Sequence, residues 1–369
     1  MILTKKELLY TLALQRVPNL GDVSAKKLIT TIGSAEGIFK EKKSNLLKID
    51  GIGRIKLKEL SLDTQLPQAE TELAYIEDNQ IECCYFLEKN YPEGLKHCLD
   101  GPILFFQKGN IDIQNKKLIS IVGTRNATPY GMAFCEKLLE DLAPLKPVII
   151  SGFAYGIDIT AQKKAMDLGL QTIGCLAHGF DQMYPKTHKR YVARINENGG
   201  FISEFWSNDP FDKTNFLKRN RIIAGLSEAT IVIESADKGG SLVTADIANS
   251  YHREVFAVPG RTTDIYSQGC NNLIKGQQAH LLNSAADILY HLGWEIDIKK
   301  SLPKQTELFV ELTEEENIVW NYLKQKDKEG LDSIALDCNF PTFKMASILL
   351  TMELKGVVRP LPGKMFQVV

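Results

Sequence analysis

Residues 216–245 read FLKRNRIIAGLSEATIVIESADKGGSLVTA, which sets two phosphate-binding devices side by side. Lys218, Arg219, Asn220 and Arg221 form a cationic cluster at the start of an apolar helical stretch. A buried-type strand follows, and then Gly239-Gly240-Ser241 opens a second helix. A glycine turn feeding a helix aims free backbone N–H groups at an anion. Clustered cations instead neutralise successive phosphates of a polyanion. The stretch therefore fits either a pocket for one nucleotide or a surface for a chain of them.

Bond-breaking chemistry needs a nucleophile or base with an activating partner. The candidates are Ser151, Asp158, His178, Asp181 and Glu204, and none belongs to a recognisable triad or elbow: ISGFAYG lacks the G-x-S-x-G frame. Asp158 opens a helical stretch and reads as a helix-entry residue, while His178 beside Gly179 reads equally well as a turn residue. No metal-ligand spacing is present, and the first strand is followed by GTRNATPYG rather than G-x-G-x-x-G, so no metal, redox cofactor or catalytic residue is assigned. The cations Arg125, Lys186, Lys189, Lys218, Arg219 and Arg221 fit a groove that tracks a phosphate backbone. Phe153, Tyr155, Tyr191 and Phe216 are interleaved with them and offer either stacking faces for bases or core packing. Charge plus rings without a base-reading element points to single-stranded nucleic acid.

These residues fall at the ends of apolar strands, and that is what must position them. KLISIVGTR, PVIISG, QTIGCLA, FISEF, ATIVIES and EVFAVPG are short Val/Ile-rich runs separated by helical stretches. That alternation predicts a doubly wound, mostly parallel, Rossmann-like α/β sheet, with ligands beyond the carboxyl ends of its strands. The upstream stretch IECCYFLEKNYPEGLKHCLDGPILFFQKGN predicts an extra strand or two at the sheet edge.

The 369 residues exceed one typical domain. Residues 1–66 contain VPNLGDVSAKKLI and IDGIGRIKLKEL, the pattern of paired helix-hairpin-helix units. Gly51 and Gly53 there either seat a phosphate or merely end helices in a small bundle. Residues 67–293 form the sheet domain, 294–310 a charged linker, and 311–369 a winged-helix pattern. The third helix of that last segment, near Phe343–Lys355, is rich in Ala, Ile, Leu and Met, which favours a protein contact or a degenerate role over duplex reading. Net charge is −1, but residues 1–66 carry twelve Lys/Arg against seven Asp/Glu, and residues 183–221 carry eight against four. Seven cysteines without C-x-x-C, no membrane-length apolar run and no leader-like start predict a reduced, cytoplasmic protein.

VGTR, SGFAYGID, YPKTHKRYV, GGFISEF, RNRIIAGLS, KGGSLVTA, FAVPG and QGCNNLI follow one another in the order found in the DNA-processing protein A family (DprA/Smf), which the chain resembles over about residues 80–290. The resemblance implies a bacterial single-stranded-DNA-binding protein of natural transformation, homodimeric and without known catalysis. It also implies that the protein protects incoming strands and helps load the RecA recombinase. Carried over by position, the DNA-contacting set is Arg125, Lys186, Lys189 and Arg219-Asn220-Arg221, with Ser151 and Gly152 on the pocket floor. Lys218, Gly240 and Ser241 are expected to bind DNA as part of the same set. The family's dimer surface falls around Leu273, Ile274 and Leu281. Two departures stand out: the family's Ser-Gly-Ser-Leu is Gly239-Gly240-Ser241-Leu242, and its Gly-Ala after the Asn-x-Leu-Ile motif is Gln278-Ala279. The competing reading is a nucleotide-ribose hydrolase of the same architecture, for which Asp246 stands roughly where a carboxylate is wanted.

Overall fold

The computed structural model describes residues 3–295, 312–326, 328–361 and 364–368, and the chain divides into two compact units between residues 296 and 297. The first holds a nine-stranded sheet: β1 (Glu82–Tyr85), β2 (Leu104–Gly109), β3 (Leu118–Val122), β4 (Val148–Ser151), β5 (Thr172–Cys175), β6 (Gly199–Ser203), β7 (Ala229–Val232), β8 (Glu254–Ala257) and β9 (His280–Leu281). Their spatial order is β1-β2-β6-β5-β4-β3-β7-β8-β9. From β6 to β9 every pairing is parallel, whereas β1 and β2 join antiparallel at the β6 edge. The doubly wound sheet with added edge strands is thus the predicted architecture.

Strand periodicity explains the two-sided burial. Ile119, Ile121 and Ile149 point into one apolar layer with Leu138, Leu142 and Ala161 of the helices Pro129–Leu142 and Ile157–Asp167. Val122, Val148 and Ile150 point into the other, against Ile222, Ile223 and Ala245 of the helices Thr214–Leu226 and Gly240–Ser250. Each Val, Ile or Leu among them, fully removed from water, contributes roughly 1.5–3 kcal/mol. Cys135, Cys175 and Cys270 pack in the same layers, and burial pushes their thiols up to about 12, so they serve as small hydrophobes.

The N-terminal helices Lys5–Gln15, Asp22–Ile32, Ala35–Lys40, Lys43–Leu46, Arg54–Lys58 and Leu62–Asp78 belong to the same compact unit. The expected 66/67 boundary lies inside the last of them, so the helical region extends to Asp78. Arg16 stacks its guanidinium 3.8 Å from the Trp206 ring and pairs with Asp209 at 2.7 Å. Trp206 Nε1 donates to Gln15 Oε1 at 3.1 Å, and the buried Glu72 carboxylate accepts the Ser207 N–H at 2.9 Å. Polar anchors thus fix these helices to the loop after β6. Trp294 also belongs to this unit: it is buried and donates from Nε1 to Glu228 at 3.2 Å. Of the expected 294–310 linker, residues 296–310 lie outside the described residues.

The second unit contains the helices Glu314–Lys326, Leu331–Asp337 and Thr342–Leu354 and the strands β10 (Lys328–Gly330), β11 (Val358–Leu361) and β12 (Met365–Val368), ordered β10-β12-β11. Val319, Leu323, Ile334, Met345, Leu349 and Met352 form its core. The short β10 completes the winged-helix plan and was not apparent in the sequence. Among the described residues no helix is long and apolar enough to cross a membrane.

Candidate nucleic-acid interface

The chain reverses direction across the sheet at β3. From β3 it proceeds outward through β4, β5 and β6, then returns to place β7 on the other side. Two successive loops therefore part at the carboxyl ends of β3 and β7, and a crevice must open between them. A cleft of about 410 Å³ lies there. Thr124 and Arg125 line it from the β3 turn, Asp158 from the helix after β4, and Ser235, Gly239, Gly240 and Ser241 from the β7 turn. Phe211, Lys213, Phe216, Leu217, Arg219 and Asn220 close the remaining side.

Glycines allow these loops to approach. Gly156 has φ +75, and a Cβ there would stand 2.2 Å from the Thr124 carbonyl oxygen. With no side chain in the way, Ile157 N–H donates to that oxygen at 3.1 Å, docking the β4 turn against the β3 turn that carries Arg125. At Gly240 no neighbouring atom lies near the Cβ position, so the N-terminus of Gly240–Ser250 opens into the cleft. Its first-turn N–H groups and the positive end of its dipole favour an anion. Ser241 is buried, and its hydroxyl donates to Ser235 Oγ at 2.9 Å, holding the turn.

Helical geometry divides the Lys-Arg-Asn-Arg cluster. Lys218 points to solvent and is not a lining residue of the cleft. Arg219 and Asn220 are buried. Arg219 donates from Nη1 to the carbonyl oxygens of Gly152, at 2.8 Å, and of Cys175. Beneath it Asp158 accepts the Gly152 N–H at 3.1 Å. Burial pushes the Asp158 carboxyl up, opposed by the Arg219 guanidinium and by the N–H groups of Gly152 and Ala154. A Cβ on Gly152 would lie 2.6 Å from Asp158 Oδ2 and 2.7 Å from Arg219 Nη2, so only glycine fits over this pair. Ser151, also buried, donates to the Ile121 carbonyl oxygen at 2.6 Å.

Arg221 turns the other way. It donates to Asp22 Oδ2 at 3.0 Å and to Glu204, joining the N-terminal helix Asp22–Ile32 to the end of β6. Glu204 is pushed up to about 7, chiefly by burial, against the attraction of Arg221. The folded chain thus holds this proton more tightly than the unfolded chain does. The contribution of Glu204 to stability is therefore present near its ordinary value of 4.5 and is lost as pH rises towards 7. Glu204→Gln is expected to gain stability relative to wild type across that window and to level off above it. Denaturation at several pH values checks this, and a constant difference contradicts it.

Arg125 is an exposed cation of the cleft, as is Lys213, and its guanidinium lies 4.9 Å from the Phe216 ring centroid. Phe216 also contacts Tyr184 and Phe211, with ring centroids 5.7 and 5.8 Å apart, so an aromatic wall stands beside the cation. Lys186 and Lys189 are exposed on the 3-10 turn Lys186–Tyr191, beyond Tyr184 and outside the cleft lining. Tyr155 is exposed, but Phe153 is fully buried against Phe201 and His188 and has no face to offer a base; Tyr191 is half-buried. His178 accepts the Tyr184 N–H at Nε2 and donates from Nδ1 to the Gly179 carbonyl oxygen, a loop-holding role. Lys213, Phe211 and Leu217 are cleft residues the sequence reading missed. For Lys213 and Leu217 the signal was helical spacing, since Lys213, Phe216 and Leu217 stand at i, i+3 and i+4; Phe211 lies in the loop before the helix. Of the expected dimer surface, Leu273 is buried in the sheet core, Ile274 is half-buried and Leu281 is exposed on the edge strand β9.

Comparison with known proteins agrees with this architecture. The family model described as DNA recombination-mediator protein A matches residues 82–293, and that of the DprA winged helix domain matches residues 305–364. The DNA processing protein DprA of Streptococcus pneumoniae (strain R6) is 38% identical over 203 residues, covering 55% of this chain and 71% of its own length. The X-ray structure of DprA from Streptococcus pneumoniae superposes with TM-score 0.66 at 30% identity, covering 79% of this chain and 98% of that one. A structure of DNA processing protein A from Helicobacter pylori, described for its single-stranded DNA binding mode, superposes with TM-score 0.52 at 29% identity, covering 58% of this chain and 95% of that one. The chain therefore belongs to the DNA recombination-mediator protein A family, DprA/Smf.

Proposed function

We propose that this protein binds single-stranded DNA through the cleft at the β3/β7 switch point. The observation that carries the reading is the meeting of Arg125, stacked on Phe216, with Lys213 and the Gly240 helix N-terminus around one opening. Phosphates pair with the cations and the N–H groups, while the Phe211/Phe216 wall takes base faces. Lys186, Lys189 and Lys218 lie outside this cleft and extend the positive field along a longer strand. The single-stranded DNA binding mode described for the Helicobacter pylori protein supports the assignment.

The same reading makes the protein a non-enzymatic, cytoplasmic factor of DNA processing in natural transformation. In that role it forms a homodimer, shields incoming strands and helps load the RecA recombinase; family membership is what supports these roles. Homodimer contacts centre on Ile274 and Leu281, with Leu273 supporting them from the core. The hydrolase alternative wants a carboxylate in the cleft. Asp246 is exposed on its helix and does not line the opening. Asp158, the one lining carboxylate among the described residues, is occupied with backbone N–H groups and Arg219. The test is strand-length dependence: a site for linked phosphates binds an oligonucleotide far more tightly than its mononucleotide.

A further inference from the structure

At the opposite border of the sheet domain, Glu254 from β8, His280 from β9 and His291 from the helix Ala285–Leu292 converge. The sheet itself sets two of them. Glu254 and Phe256 lie two residues apart on β8 and so share a face, and His280 is the register partner of Phe256. Phe256 is fully buried and supports both imidazoles, with ring centroids 5.6 Å from each. The two imidazoles stack with centroids 3.8 Å apart and 34° between planes. Glu254 Oε2 and His280 Nε2 are 2.8 Å apart. One ligand atom from each of the three residues lies within 4.8 Å of the other two.

We propose that Glu254, His280 and His291 bind a divalent transition-metal ion, Zn²⁺ by preference. Two imidazole nitrogens and one carboxylate oxygen form an open zinc ligand set, whose fourth position water fills. The mixed nitrogen–oxygen donors disfavour Mg²⁺ and Ca²⁺, which take oxygen ligands. Bond lengths near 2.0–2.2 Å put tetrahedral ligand atoms about 3.3 Å apart. Small side-chain rotations that open the 2.8 Å Glu254–His280 pair and draw His291, whose ligand atom lies within 4.8 Å of both, to that spacing complete the set. His280 begins the two-residue edge strand β9, so a bound ion ties that strand to both β8 and the helix Ala285–Leu292. Metal binding here is independent of DNA binding in the β3/β7 cleft.

The test is titration of the metal-free full-length protein with ZnCl₂ against a chromophoric chelator, in wild type, His280→Ala, His291→Ala and Glu254→Gln. One equivalent is expected to bind wild type in competition with the chelator. Each substitution is expected to weaken uptake by at least the ~10–100-fold that loss of an outer-shell partner costs. Co²⁺ in place of Zn²⁺ is expected to give the intense visible absorption of a four-coordinate site, lost in both His variants. Absent stoichiometric uptake, or uptake equal in all four proteins as adventitious binding to the half-buried Cys83 or Cys338 gives, overturns the proposal. Should a His variant fail to fold, Glu254→Gln, with nearly unchanged shape, still decides between the outcomes.

Discussion

Replacing Arg219 by Met is expected to destabilise the unit of residues 1–296 by about 2–5 kcal/mol, the cost of leaving two buried carbonyls without their donor and a buried carboxyl without its opposing charge. The guanidinium holds the carbonyl oxygens of Gly152 and Cys175, at the ends of two adjacent strands. It is also the main charge opposing the desolvation of Asp158. Methionine fills much of the same volume but supplies no donor, so both carbonyls and the carboxylate lose their partner. Denaturant unfolding read from the Trp206 and Trp294 signals checks this. A change below about 0.5 kcal/mol, typical of ordinary surface substitutions, contradicts the assigned role. The double variant Arg219→Met with Asp158→Asn removes both charges and is expected to recover part of the loss.

Arg125→Ala carries the converse expectation: near-unchanged stability with weakened single-strand binding. A charge-assisted hydrogen bond is worth about 1.5–3 kcal/mol, so affinity for a ~20-nucleotide strand is expected to fall about 10-fold or more. The salt dependence is also expected to flatten by about 0.7 in log–log slope for each single-strand phosphate that the variant no longer neutralises. Lys213→Ala is expected to act in the same direction, because its side chain lines the same opening. Arg221→Ala supplies the contrast. Its guanidinium already serves Asp22 and Glu204, so its effect is expected on folding, with binding restored once the folded fraction is accounted for. Fluorescence anisotropy with a labelled strand measures all three. Equal losses from Arg125→Ala and Arg221→Ala in fully folded protein contradict the division of roles.

That division marks the limit of what the sequence discloses. The sheet is legible because continuous Val/Ile runs such as Val148–Ile150 suit a strand buried on both faces and little else. The switch point follows from the strand order, and it brings Thr124, Gly152 and Gly240 to one end of the sheet. Lys218-Arg219-Asn220-Arg221 is harder, because consecutive helical residues point about 100° apart. One cation reaches solvent, one runs under the cleft floor and one faces the N-terminal helices; composition alone does not sort them. Phe153 illustrates the same point for rings, since its backbone at φ +56 turns it into the core rather than towards a ligand. The 66/67 boundary falls within one helix: Leu62–Asp78 packs against Lys5–Gln15 while its Glu72 anchors the loop after β6. The partner of Glu254 and His280 was invisible in the sequence because His291 arrives from a helix with no recognisable metal-ligand spacing.

The measurement that bears most directly on the central claim is affinity as a function of strand length and salt. Anisotropy titrations compare a mononucleotide with single strands of about 5, 10 and 20 nucleotides at several salt concentrations, since binding to linked phosphates releases counterions in proportion to their number. Affinity is expected to rise steeply with length, and the slope of log affinity against log salt is expected to grow with it. A mononucleotide that binds as tightly as the ~20-mer, with little salt dependence, would show that the cleft is a small-nucleotide pocket and would contradict the account.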